Sequence, residues 1–261
     1  MPEVTKHEPG TPSWADLGSP DLDSSIAFYS GLFGWQIERG PEEAGGYSIA
    51  MLRGKAVAGL GPLMNEGQPP SWSTYISVDD VEQTVQKVRD NGGQVFMEPM
   101  KVQIGDDHFG SMAVLADPTG AVFSVWEPHQ HIGAQLVMEP GTLAWSELVT
   151  RDIDTAKKFY GEVFGWGADT SEAGPTTYTE WKLGGQAVGG MLQMNEEWPQ
   201  DIPAHWMAYF AVADADAAAA KAKELGATLR VEPTDIPNVG RFAVVVDPAG
   251  AQFSVIALNP S

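Results

Sequence analysis

An internal repeat constrains this chain more than any other feature, because a sequence written twice must fold as two related units. Trp14, Asp21-Leu22-Asp23, Phe28-Tyr29 and Phe33-Gly34-Trp35 recur as Trp145, Asp152-Ile153-Asp154, Phe159-Tyr160 and Phe164-Gly165-Trp166, at a constant offset of 131 residues. The same offset carries Tyr47 to Tyr178 and Gly54 to Gly185. Further on, Val78, Asp80, Gly92, Glu98 and Pro99 meet Val212, Asp214, Gly226, Glu232 and Pro233 at an offset of 134. Asp117-Pro118, Gly120 and Phe123-Ser124-Val125 then meet Asp247-Pro248, Gly250 and Phe253-Ser254-Val255 at 130. Small loop insertions therefore separate two copies of one domain, expected at residues 10–128 and 141–259. Between them, residues 129–140 open with His129-Gln130-His131-Ile132-Gly133 and read as a polar linker.

Each copy divides again. In the first, an extended run Trp14–Leu17 precedes an amphipathic helix that Asp21 can cap and whose Ile26, Phe28, Tyr29 and Leu32 form an apolar stripe. Strand-like runs follow at Tyr47–Leu52 and Ala56–Leu63. The pattern restarts at Ser73–Val78, with a helix from Asp80 to about Asn91 and strands at Gln94–Met97, Ser111–Leu115 and Ala121–Trp126. The expected fold is α+β: four βαβββ modules paired into two tandem domains, each a curled mixed sheet around a cavity with helices outside. Such a cavity is the default ligand site.

Composition narrows the partners. With 35 acidic and 15 basic residues the chain carries a formal charge of −20, which repels phosphate backbones and leaves no basic stripe for nucleic acid or anionic lipid. The absence of cysteine removes disulfides, thiolate metal sites and thiol nucleophiles, leaving five histidines and the carboxylates as candidate metal ligands. Met1–His7 lacks a secretory apolar core and no stretch reaches the roughly 20 apolar residues that span a bilayer, so a cytoplasmic location is expected.

The paired modules, the strand followed by Asp-x6-Phe-Tyr-x3-Phe-Gly-Trp, and the Asp-Pro-x-Gly hairpin together resemble the vicinal oxygen chelate superfamily of glyoxalases, bleomycin-resistance proteins and extradiol dioxygenases. Two-domain actinobacterial glyoxalase-like or hydroxylase-like members are the nearest in pattern. The resemblance implies metal ligands at the start of the first strand, on the equivalent strand of the next module, and four residues past the hairpin glycine. Transferred to this chain, those positions hold Trp14, Ser73 and Ser124 in the first domain and Trp145, Met207 and Ser254 in the second. Neither set suits a divalent cation.

Strand alternation supplies their neighbours. Asp16 shares a face with Trp14, and Glu147 with Trp145; Tyr75 and Tyr209 face inward with Ser73 and Met207, and Val122, Ser124 and Trp126 or Gln252, Ser254 and Ile256 line the closing strands. Asp16 and Glu147 are the candidate catalytic acid/base groups, or ligand anchors, and the competing reading is that each hydrogen-bonds the opposing tyrosine and fixes the barrel. Trp14, Ser73, Tyr75, Ser124, Trp126, Trp145, His205, Met207, Tyr209 and Ser254 are the candidate ligand-binding residues. The expected function is metal-independent binding of a small organic molecule, by sequestration or in a metal-free reaction, with no cofactor. Catalysis is left open; an enzyme of this kind would be a glyoxalase-like lyase or a hydroxylase. The alternatives are a Zn, Ni, Fe or Mn enzyme with displaced ligands, such as Asp16 or Glu147 with Gln193 and His205, and an interaction protein with vestigial cavities. Four modules complete two cavities within one chain, so an oligomer is not required.

Other features read as structural. Glu127-x-His129-x-His131 has ligand residue types, but a connector gives them no fixed geometry. Arg241 is expected in a surface ion pair, His108 in a loop at a cavity mouth, and Phe28, Tyr29, Trp35, Phe159, Tyr160 and Trp166 in helix-to-sheet cores. Gly45-Gly46, Gly92-Gly93, Gly184-Gly185 and Gly189-Gly190 read as turns and close strand approaches.

Overall fold

The computed structural model describes residues 3–65, 67–173 and 176–259. In the first half, β1 (Pro12–Ser19), α1 (Leu22–Phe33), β2 (Gln36–Arg39), β3 (Ser48–Leu52) and β4 (Lys55–Pro62) form one module. The strand β5 (Ser71–Ser77), α2 (Val81–Asp90), β6 (Gln94–Ile104), β7 (Asp107–Ala116) and β8 (Val122–Pro128) form the next. The second half repeats them as β9 (Leu143–Thr150), α3 (Ile153–Phe164), β10 (Gly167–Ala173), β11 (Thr176–Leu183), β12 (Gln186–Gln193), β13 (His205–Ala211), α4 (Ala215–Glu224), β14 (Thr228–Ile236), β15 (Gly240–Val246) and β16 (Gln252–Leu258). No described helix is long and apolar enough to cross a membrane.

Each half is one eight-stranded sheet, ordered β2-β3-β4-β1-β5-β8-β7-β6 in the first and β10-β11-β12-β9-β13-β16-β15-β14 in the second. The two first strands of a half, β1 with β5 and β9 with β13, pair antiparallel at the centre, where the modules meet. This is the α+β architecture of four βαβββ modules that the repeat implies. The short β2 carries the polar sequence Gln-Ile-Glu-Arg, which alternates too weakly to be read as a strand, and it forms only by pairing with β3. Strands β6 and β7 also run well beyond the spans expected from sequence.

Local signals fix the helices. Asp21, Asp80, Asp152 and Asp214 each accept a backbone N–H from the third residue along, satisfying a donor that the first helical turn would otherwise leave unpaired. Gly34 and Gly165 close α1 and α3 in the left-handed conformation that glycine adopts without strain.

The helix faces correct one expectation. Phe28, Tyr29, Phe33 and Trp35 do not merely cover their own sheet; they share a core with Phe210, Phe253, Ala219, Ala222 and Val245 of the other half. Phe159, Tyr160, Val163 and Trp166 likewise share a core with Val85, Val88, Leu115 and Phe123. The tyrosine–aspartate contacts and the Trp35 and Trp166 contacts cross between the halves in the same way. Tyr29 donates its hydroxyl to Asp247 Oδ2 at 2.9 Å and accepts from Trp72 Nε1 at 2.9 Å. Tyr160 donates to Asp117 Oδ2 at 2.9 Å and accepts from Trp206 Nε1 at 2.9 Å. Trp35 donates to the Gly141 carbonyl and Trp166 to the Gly10 carbonyl, both at 2.7 Å. The aspartate of each Asp-Pro-x-Gly turn holds its own hairpin with Oδ1, accepting from the Thr119 and Ala121 or the Ala249 and Ala251 amides, and reaches the opposite half with Oδ2.

Replacing Tyr29 or Tyr160 with Phe removes a buried bond to a carboxylate and strips a tryptophan N–H of its acceptor. Each substitution is expected to cost about 1–3 kcal/mol in urea unfolding, with the double variant losing cooperativity between the halves.

Candidate functional site

The concave face of each sheet gathers the residues that alternation assigned to it. On β1, Ala15 and Leu17 enter the shared core, so Trp14 and Asp16 turn to the concave side. Asp16 lies opposite Ser73 on β5 and opposite Gly59 on β4, while Tyr75 lies opposite Trp14 and beside Ser124 on β8. In the second half Glu147 lies between Met207 and Gly190, and Tyr209 between Trp145 and Ser254. The expected sets are therefore brought together in both halves. Val122 is the exception: at 45 % exposure it faces solvent rather than the pocket, because it is the first residue of its strand.

A hydrogen-bonded chain runs through each set. Trp14 Nε1 donates to the Tyr47 hydroxyl at 3.0 Å, Tyr47 donates to Asp16 Oδ2 at 3.3 Å, and Tyr75 donates to the same oxygen at 2.9 Å. Trp145 Nε1 donates to the Tyr178 hydroxyl at 2.9 Å, Tyr209 donates to Glu147 Oε1 at 2.9 Å, and the Tyr178 phenol lies beside that carboxyl. Tyr47 and Tyr178 are the residues of the candidate site that sequence reasoning did not assign. Their signal was present, since they share the offset of 131 with Gly59 and Gly190. A Cβ on Gly59 would stand 1.9 Å from the Tyr47 hydroxyl oxygen, and one on Gly190 would stand 2.0 Å from that of Tyr178. Glycine is required there because each phenol crosses the neighbouring strand to reach its carboxyl.

Burial sets the electrostatics. It raises the Asp16 carboxyl to about 6 and Glu147 to about 7, and the tyrosine hydrogen bonds offset only part of that shift. Burial and the adjacent carboxylates push the phenols well above their usual range, so all four remain donors. A carboxyl titrating near neutrality can donate a hydrogen bond when protonated and accept one, or a proton, when ionised. These contacts also satisfy the structural reading of the carboxyls, because each does bond the opposing tyrosine.

The metal positions implied by the resemblance hold indole, hydroxyl and thioether groups, a donor set that does not fit a divalent cation. Among the described residues no three His, Asp or Glu side chains converge in a metal-binding arrangement. The displaced set does not assemble either: Gln193 pairs with Thr150, one residue past Val149, and so lies on the opposite face from Glu147. His205 does share the inner face with Met207 and Tyr209. Its Nδ1 donates to the Pro203 carbonyl at 2.9 Å, leaving a buried, unpartnered Nε2.

The connector cluster has fixed geometry after all, with each side chain engaged separately. Glu127 accepts the Val81 amide at the start of α2, His129 stacks on His108 with ring centroids 4.6 Å apart, and His131 packs edge-on against Trp14 at 4.7 Å. Arg241 is taken up by Asp216 and Asp235, as the ion-pair reading requires.

Because Asp16 and Glu147 favour the protonated form in the folded state, their contribution to stability is present at acid pH and is lost as pH rises through the window from about 4 to about 7. Replacing Asp16 with Asn and Glu147 with Gln removes that loss. The melting temperature of the double variant, relative to the parent, should rise between pH 4 and pH 8; a difference independent of pH would contradict the assignment.

Comparison with known proteins identifies the family. The Glyoxalase/Bleomycin resistance protein/Dioxygenase superfamily matches residues 11–125 and 141–255. The glyoxylase candidate CFP32 of Mycobacterium tuberculosis is 46% identical over 266 residues, covering 100% of this chain and 99% of its own. The anthracycline biosynthesis protein DnrV of Streptomyces peucetius is 39% identical over 272 residues, covering 98% of this chain and 96% of its own. The Mn(II)-bound glyoxalase of Novosphingobium aromaticivorans shares the fold with a TM-score of 0.66 at 16% identity, over 95% of this chain and 82% of that one. The 2,2',3-trihydroxybiphenyl 1,2-dioxygenase of Sphingomonas wittichii does so at 0.65 and 15%, over 95% and 90%. With both halves matched by the family and relatives aligned along almost their full length, the chain belongs to the glyoxalase/bleomycin resistance protein/dioxygenase superfamily.

Proposed function

We propose that this protein binds a small organic molecule on its concave sheet faces through an indole, two phenols and a carboxyl, without a metal ion. The observation that carries the reading is the Trp–Tyr–carboxyl–Tyr cluster, present in both halves on the face where the superfamily's ligand positions fall. Aromatic walls with one ionisable group suit a flat, partly polar molecule: the rings supply contact area and the carboxyl fixes orientation by hydrogen bonding. Two relatives are named for anthracycline biosynthesis, which makes a planar hydroxylated aromatic the first probe to test. Either carboxyl could also move a proton on such a ligand, in its protonated form as donor to a carbonyl or in its ionised form as acceptor from a hydroxyl.

Two measurements test this. Elemental analysis of protein purified without added metal should give far less than one equivalent of Zn, Ni, Fe or Mn; a stoichiometric ion would overturn the metal-free reading. Titration with 1,2-dihydroxyanthraquinone should show saturable binding that weakens roughly tenfold when Asp16→Asn and Glu147→Gln are combined, the loss of a charge-assisted hydrogen bond, while far-UV dichroism is unchanged. Unfolding of that double variant would instead make the carboxyls structural.

A further inference from the structure

The β6–β7 hairpin of the first half is longer than β14–β15, and it receives the connector: the His129 and His131 amides both donate to the Phe109 carbonyl at 3.0 Å. Beyond that point the His131 ring lies edge-on to two indoles, with centroids 4.7 Å from Trp14 and 5.8 Å from Trp126. Its Nε2 is buried without a hydrogen-bond partner among the described residues. Burial, with a smaller effect of the nearby His7, lowers this imidazole to about 4, so at neutral pH it is seated uncharged. In the second half Ile256 stands where the first has Trp126, so the pair of indoles is not repeated.

Two chain segments meet at this ring. From His131 onward the connector is tied to the first half: Trp126 Nε1 donates to the His131 carbonyl, the Ala134 amide to Ser13 and the Gln135 amide to Ala56, each at 2.8 Å. The turn between them falls at Gly133, whose φ is +99° and where a Cβ would stand 2.5 Å from the Ser13 carbonyl oxygen, so only glycine lets the connector lie this close. Ala134 is fully buried against Trp14, Ala56, Tyr75 and Trp126. The N-terminal arm then closes over the connector. The Val4 amide donates to the Gln135 carbonyl at 2.9 Å, His7 Nε2 donates to the Ala134 carbonyl at 2.7 Å, and Glu3 pairs with Lys55 at 2.8 Å. Burial lowers the His7 imidazole as well, and its bond to Ala134 offsets part of that shift.

The carboxylates of the elements packed around His131 are occupied elsewhere. On β1, Asp16 accepts from Tyr47 and Tyr75; on β8, Glu127 accepts the Val81 amide. On the arm, Glu3 is taken by Lys55 and Glu8 by Lys6; on the connector, Glu139 is taken by Arg53. On the hairpin, the His108 ring stacks on His129. The charge that does act on His131 is that of His7, a like charge when both are protonated. An imidazolium carries two N–H donors, so protonation at His131 adds a buried charge and a donor with no acceptor.

We propose that residues 4–9 and 131–136 form an acid-released strap, which proton uptake by His131 and His7 lifts from Trp14 and Trp126 while the second half stays closed. The proposal goes beyond the small-molecule reading and does not depend on a ligand. Its sign follows from where the protons go. In the docked strap both imidazoles have lowered affinity for a proton; once released into water each binds one near the ordinary value of 6.5. Docking is therefore at full strength above that pH and weakens below it, by up to roughly tenfold per pH unit for each histidine. For His131 the weakening ends only near 4. Asp16 does not produce this effect, because its raised carboxyl takes up a proton within the folded sheet and so acts with the opposite sign.

Amide hydrogen exchange of the full chain, read by mass spectrometry from about pH 7.5 to about pH 5 with intrinsic rates divided out, measures the opening. Protection of the Ala134 and Gln135 amides should fall roughly tenfold or more per pH unit below 6.5, while β9 and β13 keep theirs. His131→Phe keeps a ring between the indoles without the proton site, and His7→Gln keeps a donor for the Ala134 carbonyl; with both changes, protection should not vary with pH. In the parent, the His131 ring signals in 1H–13C NMR should titrate in step with the loss of protection. Constant protection in the parent, an unchanged slope in the double variant, or equal loss in β9 and β13 would each overturn the proposal. Should the double variant not fold, the parent decides: strap amides that lose protection while the His131 ring stays unprotonated would overturn it.

Discussion

The buried tyrosine–aspartate bonds between the halves are the constraint on which the remaining structure depends. A sheet that curls to make a pocket leaves its convex face apolar, and here each half covers that face with the helices and sheet of the other. The phenols of Tyr29 and Tyr160 sit inside those shared cores, where an unpaired hydroxyl or carboxyl would be costly. Each therefore must meet its aspartate, and the aspartate must in turn be presented by a tight Asp-Pro-x-Gly turn. One pairing thus fixes the helix, the hairpin and the relative placement of the halves.

That arrangement explains why two motifs far apart in the chain repeat together. The Phe-Tyr of the first helix in one copy and the Asp-Pro-x-Gly of the last hairpin in the other are two sides of one contact. Small residues complete the fit: Ala219 and Ala222 on α4 let α1 approach closely, and a Cβ on Gly31 would already stand 3.1 Å from the Leu225 side chain. Cavity-forming or bulky changes here act on both halves at once.

Much of this was legible in the sequence. Period-two alternation placed Trp14, Asp16, Tyr75, Trp145, Glu147 and Tyr209 on the inner faces, and the aspartate caps marked every helix start. What alternation cannot show is partnership across distance. Tyr29 and Tyr160 fit a local helix-to-sheet reading equally well, so nothing in their own segments pointed to Asp247 and Asp117. Tyr47 and Tyr178 repeated at the right offset, yet only their crossing over Gly59 and Gly190 reveals why. The connector misled through its polar opening residues; the apolar alternation of Ile132, Ala134 and Leu136 was the sign that it packs rather than dangles.

Duplication gives two copies of a concave sheet face, but it does not oblige them to stay alike. The core contacts between halves tolerate little change, because each phenol, aspartate and glycine answers to a partner. The departures from a constant offset fall in the loops beside the concave faces: a longer cover over Glu147 and Met207, and a longer hairpin that receives the connector beside Trp14. The raised carboxyls reflect the same division. Both are held by phenols of the repeated sheets. The carboxyl–phenol cluster therefore resides in the repeated sheets, and the difference between the two halves resides in the unrepeated loops.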